Sequence, residues 1–269
     1  MSLSNYTEAA ILNHLLRATS WTKPIALYVA LFTGDPGEAG SMAQEVTGGS
    51  YARVARGPGD ASWALPVSGD KTFTNAAAVT FPAPTAAWGT VTHFGICDAS
   101  TGGNVLASGA LDTATVIGSG APAPSFAAGD LRIVFSGHLS DALISAIGTH
   151  MLRTGSWTAP SAIYAGLLTS VAGAGAGAEI SAGDYARKAV GPSTGAWAAP
   201  HADNGCSNAA QLLWPSPAVN WIDAEKVVLF DALTAGNALL TIPLAANRLL
   251  PAGALPPNFP PGALQVIAT

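Results

Sequence analysis

The sequence predicts a mainly β protein built from two tandem homologous β-sandwich domains, jelly-roll-like or small-barrel in form, each with an N-terminal amphipathic helix. Three observations carry this expectation. The 269-residue chain repeats its landmarks in order. Each copy opens on a helical apolar stripe. The remainder of each copy is a series of short apolar runs broken by Gly, Pro, Asn and Asp. Leu16-Arg17 and Ser20-Trp21 recur as Leu152-Arg153 and Ser156-Trp157, and Tyr51-Ala52-Arg53 and Trp63 as Tyr185-Ala186-Arg187 and Trp197. Asn75-Ala76-Ala77, Trp88, Asp98, Gly103-Asn104 and Phe126 recur as Asn208-Ala209-Ala210, Trp221, Asp231, Gly236-Asn237 and Phe259. The spacing between copies shortens twice, which marks two loop deletions in a duplicated unit. The expected division is residues 1–136 and 137–269.

The elements follow in order. Ser4 is placed to cap a helix whose stripe is Ile11, Leu12, Leu15 and Leu16; Ser140 caps its counterpart, with Leu143, Ile144, Ile147 and Met151. Pro24 and Pro160 exclude helix beyond Trp21 and Trp157. From there the pattern is β: 25–33, 51–56, 78–81, 91–98, 105–111 and 131–135, with 161–169 in the second copy. Ala99 to Asn104 and Leu233 to Asn237 read as hairpin connections, entered by Asp98 and Asp231 accepting backbone N–H bonds. The junction Ser136-Gly137-His138 is too short for a flexible linker, so the copies should sit in a fixed relation, like a dimer with fused subunits. Gly34 to Gly49 and Ser170 to Gly183 share a place but little sequence. The first is acidic, with Asp35, Glu38 and Glu45, and the second contains the Ala172 to Ala178 run. Such loops either bind partners or are tolerated surface insertions.

Composition excludes several functions. Charged residues make up 10% of the chain, against roughly 25% in typical soluble domains, so Ala, Ser, Thr, Gly and Pro must build much of the surface. Net charge is -5 without a basic stripe, so no nucleic-acid partner is expected. No apolar run approaches the roughly 20 residues of a membrane span, and no secretion signal is expected. Cys97 aligns with Phe230 and Cys206 with Phe73, so both read as buried small hydrophobes rather than disulfide or metal ligands. His14 and His150 are equivalent helical positions facing away from the strongest stripe, His93 aligns with Lys226, and Asp130 aligns with Ala263. No catalytic constellation, metal site or cofactor site is expected. The paired aromatics Trp21/Trp157, Trp63/Trp197, Trp88/Trp221 and Tyr51/Tyr185 are the expected core or interface anchors.

Leu3-Ser4-Asn5-Tyr6-Thr7-Glu8, Ser20-Trp21-Thr22-Lys23-Pro24, Tyr28 to Thr33, Gly49-Ser50-Tyr51-Ala52-Arg53 and Trp88 to Ile96 resemble small virion proteins of tailed bacteriophages, commonly labelled phage tail fibre protein. The resemblance covers nearly all of the first copy and the landmarks of the second. It implies a virion structural component and carries over no active site. Coiled-coil heptads and extended fibre repeats are not visible. The expectation drawn from a compact, low-charge duplicated unit is therefore a capsid decoration or cement protein, assembled in the bacterial host cytoplasm. It would bind the major capsid protein or other virion proteins through apolar and backbone contacts, with self-association also open. The alternatives are a tail fibre or receptor-binding module, and a glycan hydrolase using Asp98 or Asp231.

Overall fold

The computed structural model describes residues 2–66, 70–169, 178–201 and 205–268. The Ala-Gly run expected as a surface insertion lies, but for Ala178, outside the described residues.

Two helices form where the apolar stripes stand. Helix α1 spans Asn5–Arg17, with the Ser4 hydroxyl accepting from Thr7 N–H at 3.4 Å; α2 spans Asp141–Leu152, with Ser140 accepting from Leu143 N–H. Such caps contribute about 1 kcal/mol each. α1 ends earlier than its prolines require: Ala18 adopts a left-handed conformation, φ 55°, and its N–H donates to Asn13 O. The segment from there to Trp21 is thereby freed to cross the molecule.

In the first repeat the main sheet is antiparallel and 5-stranded, ordered 2–3, 105–117, 89–97, 28–32, 54–55. Strand Tyr28–Phe32 is paired along both edges and is almost wholly apolar, as a strand covered on both faces should be. A 3-stranded sheet ordered 132–134, 72–75, 63–64 and a ribbon of 79–80 with 125–126 complete the repeat. The second repeat has a 4-stranded sheet ordered 188–191, 163–168, 223–230, 238–249. Its ribbons pair 205–207 with 265–267 and 212–213 with 258–259. Single bridges, Leu139 to Leu240 and Trp197 to Asn208, stand where the first repeat has strand pairs. Strand 105–117 runs well beyond the expected 105–111, and strands 63–64 and 72–75 were not among those expected. In the extension, positions 112–116 are exposed and carry no apolar period, and strands 63–64 and 72–75 are too short to show one, so pairing partners decide their structure.

One hydrophobic cluster runs through both repeats, from Leu3 to Ala268. The helices join them. α1 touches strand 105–117 of its own repeat and strand 205–207 of the other. α2 touches strand 238–249 of its own repeat, and its Gly148 faces Phe73 of the first. Each helix is therefore an intercalated layer, not a lid on its own sandwich. The junction itself is paired backbone: Gly137 bridges Ala268, His138 N–H donates to Ile267 O, and Thr241 N–H donates to His138 O.

Candidate functional site

Two structural centres recur with the duplication, and both are built from residues the repeat aligns. The first is a clamp on the hairpin. Arg53 leaves strand 54–55's edge and reaches Glu45 in a bidentate pair, Nε–Oε1 2.7 Å and Nη2–Oε2 2.7 Å. Its Nη1 donates to Ala99 O at 2.6 Å and Gly102 O at 2.8 Å, inside the hairpin turn. Tyr51 Oη donates to Glu45 and accepts from Leu31 N–H at 2.9 Å. Arg187, Glu179 and Tyr185 repeat this arrangement on the carbonyls of Ala232 and Ala235. The Glu45 hydrogen bond raises Arg53 above its usual range, and burial pushes the Tyr51 and Tyr185 phenols up. Charge-assisted, bidentate and partly desolvated, this is the strong form of an ion pair.

The hairpins close by a shared rule. Asp98 accepts from Asn104 N–H at 2.6 Å and Asn104 Nδ2 at 2.7 Å, and Asp231 from the same groups of Asn237. Gly103, at φ +70°, lies so close that a Cβ would stand 2.3 Å from Asp98 Oδ1. Asp98 and Asp231 are thus turn-closing carboxylates. Glu45, expected in a solvated acidic loop, is half-buried and committed to Arg53. The matching dipeptides Glu45-Val46 and Glu179-Ile180, just upstream of each Tyr-Ala-Arg, were the missed sequence signal.

The second centre is the seam. His14 and His150 stack across it with ring centroids 6.0 Å apart. His14 Nδ1 accepts from Trp21 N–H and His150 Nδ1 from Trp157 N–H, each at 3.1 Å. With Nδ1 accepting, Nε2 carries the proton and points across the seam, His14 to Trp157 O and His150 to Trp21 O. Burial lowers the His150 pKa, and the facing His14 adds to it. The helix ends reciprocate: Ser193 N–H donates to Leu16 O, and Gly59 N–H to Leu152 O. Arg17 donates to Trp197 O, and Arg153 to Trp63 O. His150 is buried, contrary to an outward-facing position, because the face opposite its apolar stripe is covered by the other repeat.

The remaining aromatics fall into place around these centres. Trp63 and Trp197 are fully buried, with indole N–H groups donating to Arg56 O and Val190 O. Trp88 and Trp221 stand edge-on to Tyr51 and Tyr185. Trp21 is buried and Trp157 half-buried at the seam. Cys97 and Cys206 are buried free thiols, pushed up to about 12 and about 11 by desolvation. His93, expected at an exposed strand position, is half-buried, bonded to Thr92 Oγ1 at 2.8 Å. Among the described residues no group of three or more His, Cys, Asp or Glu is placed to hold a metal ion, and no helix is long and apolar enough to cross a membrane.

A sequence-family profile described as Podophage GP4 fiber I protein gp80 matches residues 2–134 and, a second time, residues 138–267. The chain belongs to this family. Membership of the Podophage GP4 fiber I protein gp80 family makes the chain a phage fibre protein, a structural component of the virion whose partners are other virion proteins. The double match is the duplication seen in the landmarks and in the mirrored clamps. A search of curated proteins finds no match.

Proposed function

We propose that the chain is a non-enzymatic structural module of the phage tail fibre, in which two fused repeats act as one stiff double unit. The observation that carries this reading is the fibre-family match over both repeats. The seam supports it, because reciprocal bonds from each helix end to the other repeat make relative motion of the halves costly. A division at residues 136 and 137 then separates two repeats, not two independently folding domains. The carboxylates best matched between repeats close hairpins, a structural duty that fits a non-enzymatic module.

Capsid decoration predicts a different stoichiometry. A fibre module belongs to the tail and is present in few copies, at a small multiple of the tail's symmetry. A cement protein coats the shell in hundreds of copies. Quantitative mass spectrometry of purified virions, with coat and portal proteins as internal standards, separates the two. A ratio near that of the coat protein would replace the fibre assignment with the cement one.

A further inference from the structure

The first turn of α1 buries a carboxylate. Glu8 is 1% exposed, and among the described residues neither of its oxygens has a hydrogen-bond partner. One turn earlier stands Asn5, whose side-chain oxygen is likewise buried and without a partner. Residues three apart on a helix share a face, so three acceptor oxygens rise on one side of α1 without a donor. The neighbouring hydroxyls donate elsewhere, Ser4 to Val105 O at 2.5 Å and Thr7 to Leu106 O at 2.9 Å. The segment carrying Glu38 covers the same corner. Asn5 N–H donates to Glu38 O at 2.8 Å, Ser2 Oγ donates to Glu38 Oε1 at 3.2 Å, and the Glu38 charge acts on the Glu8 carboxyl.

The second repeat shows that the fold has no need of this carboxylate. Glu8 aligns with Ile144, which is equally buried, and Asn5 with Asp141, which is exposed and stands 3.8 Å from Lys71. Isoleucine thus fills the same place in the helix with no polar atom to satisfy. An ionised carboxylate buried without a compensating partner is among the costliest placements for a side chain. A carboxylate kept where an apolar residue serves the twin calls for a positive partner.

We propose that Glu8, Asn5 and Glu38 hold a calcium ion that ties the start of α1 to the segment carrying Glu38. The donors are two carboxylates and a carboxamide, all hard oxygens, and the two negative charges match a divalent cation. Both Glu8 oxygens are free, as a bidentate ligand requires. Calcium accepts about six to eight oxygens in irregular geometry and completes its shell with water on the exposed Glu38 side, whereas magnesium demands a near-ideal octahedron and gives up its water reluctantly. Without the ion the Glu8 oxygens stay uncompensated, and an apolar replacement is then the more stable choice. The site does not depend on where in the virion the chain sits.

The test is calorimetric titration of the chelator-stripped full chain with calcium chloride, with melting temperatures read in EDTA and in calcium. The expected result is one saturable site and a melting temperature higher by about 5 °C or more at about a hundred times Kd. Glu8→Ile, which installs the twin's own residue, should abolish both the binding heat and the rise. Glu38→Gln, at an exposed position that spares the fold, should weaken binding by about tenfold, because charge count sets affinity at such sites. Magnesium chloride should bind more weakly than calcium. No calcium heat or rise in the unaltered chain, an equal response from Glu8→Ile, unchanged affinity in Glu38→Gln, or magnesium bound as tightly as calcium overturns the proposal.

Discussion

At Glu8 the first repeat buries a carboxylate where the second carries Ile144. The side chain is 1% exposed, neither carboxylate oxygen has a hydrogen-bond partner among the described residues, and burial, with Glu38 adding to it, raises the pKa to about 8. A raised folded-state pKa means the folded chain holds a proton that the unfolded chain has lost. The stability linked to Glu8 is therefore full below about pH 4.5 and declines as pH rises to about 8. Glu8→Ile should raise stability by roughly 2–4 kcal/mol at pH 8 and by much less at pH 5, read by chemical denaturation in the presence of EDTA at both values. His150 has the opposite sign. Its pKa is lowered by burial, with His14 and Lys23 adding to the shift and the Trp21 carbonyl opposing it. Stability linked to it is full above the unfolded value near 6.5 and is lost on acidification. His150→Asn keeps an acceptor for Trp157 N–H and should flatten the melting-temperature decline between about pH 6.5 and 5. The two environments differ in how far the sequence shows them. Glu8 stands one turn before Ile11 and Leu12 and is matched by Ile144, so it lies on the apolar stripe itself, whereas His150 stands opposite the strongest stripe and is buried only because the other repeat covers that face.

Between elements, the seam substitutes volumes in pairs. Gly148 of α2 faces Phe73, and a Cβ on it would stand 2.1 Å from the Phe73 ring. The mirrored positions hold Leu12 in α1 and Cys206 in strand 205–207, two elements that also touch across the seam. The large residue is on the strand in one half and on the helix in the other. Gly148→Leu alone should destabilise by about 3 kcal/mol or more through overpacking, and Phe73→Cys alone by about 2–4 kcal/mol through the cavity it leaves. The double variant should recover at least half of the summed loss, a coupling that a thermodynamic double-mutant cycle measures directly. The helices, their serine caps, the hairpin turns and most main-sheet strands were legible in the sequence, because apolar period and turn residues are local signals. The exchanged packing was not, although its trace was there: Cys206 against Phe73 and Gly148 against Leu12 are two misfits in the repeat alignment that only make sense together.

Across the whole molecule the duplication does two things. It keeps the parts that lock the halves, namely the stacked histidines, the Arg17 and Arg153 contacts and both hairpin clamps. It lets single positions such as Glu8 and Ile144 diverge. The low charge that suggested a capsid lattice has a second explanation here, since much of each helix surface that a single repeat would expose is buried against the other. The fused, reciprocally locked pair is the central claim, together with its place in the tail fibre. A cryo-electron microscopy map of the intact virion tests both at once. The expected result is tail-fibre density into which the two repeats fit as a single pseudo-two-fold body, with α1 and α2 lodged between them. Density for this chain spread over the capsid shell, or repeats that sit apart with each helix folded back on its own sheets, would contradict it.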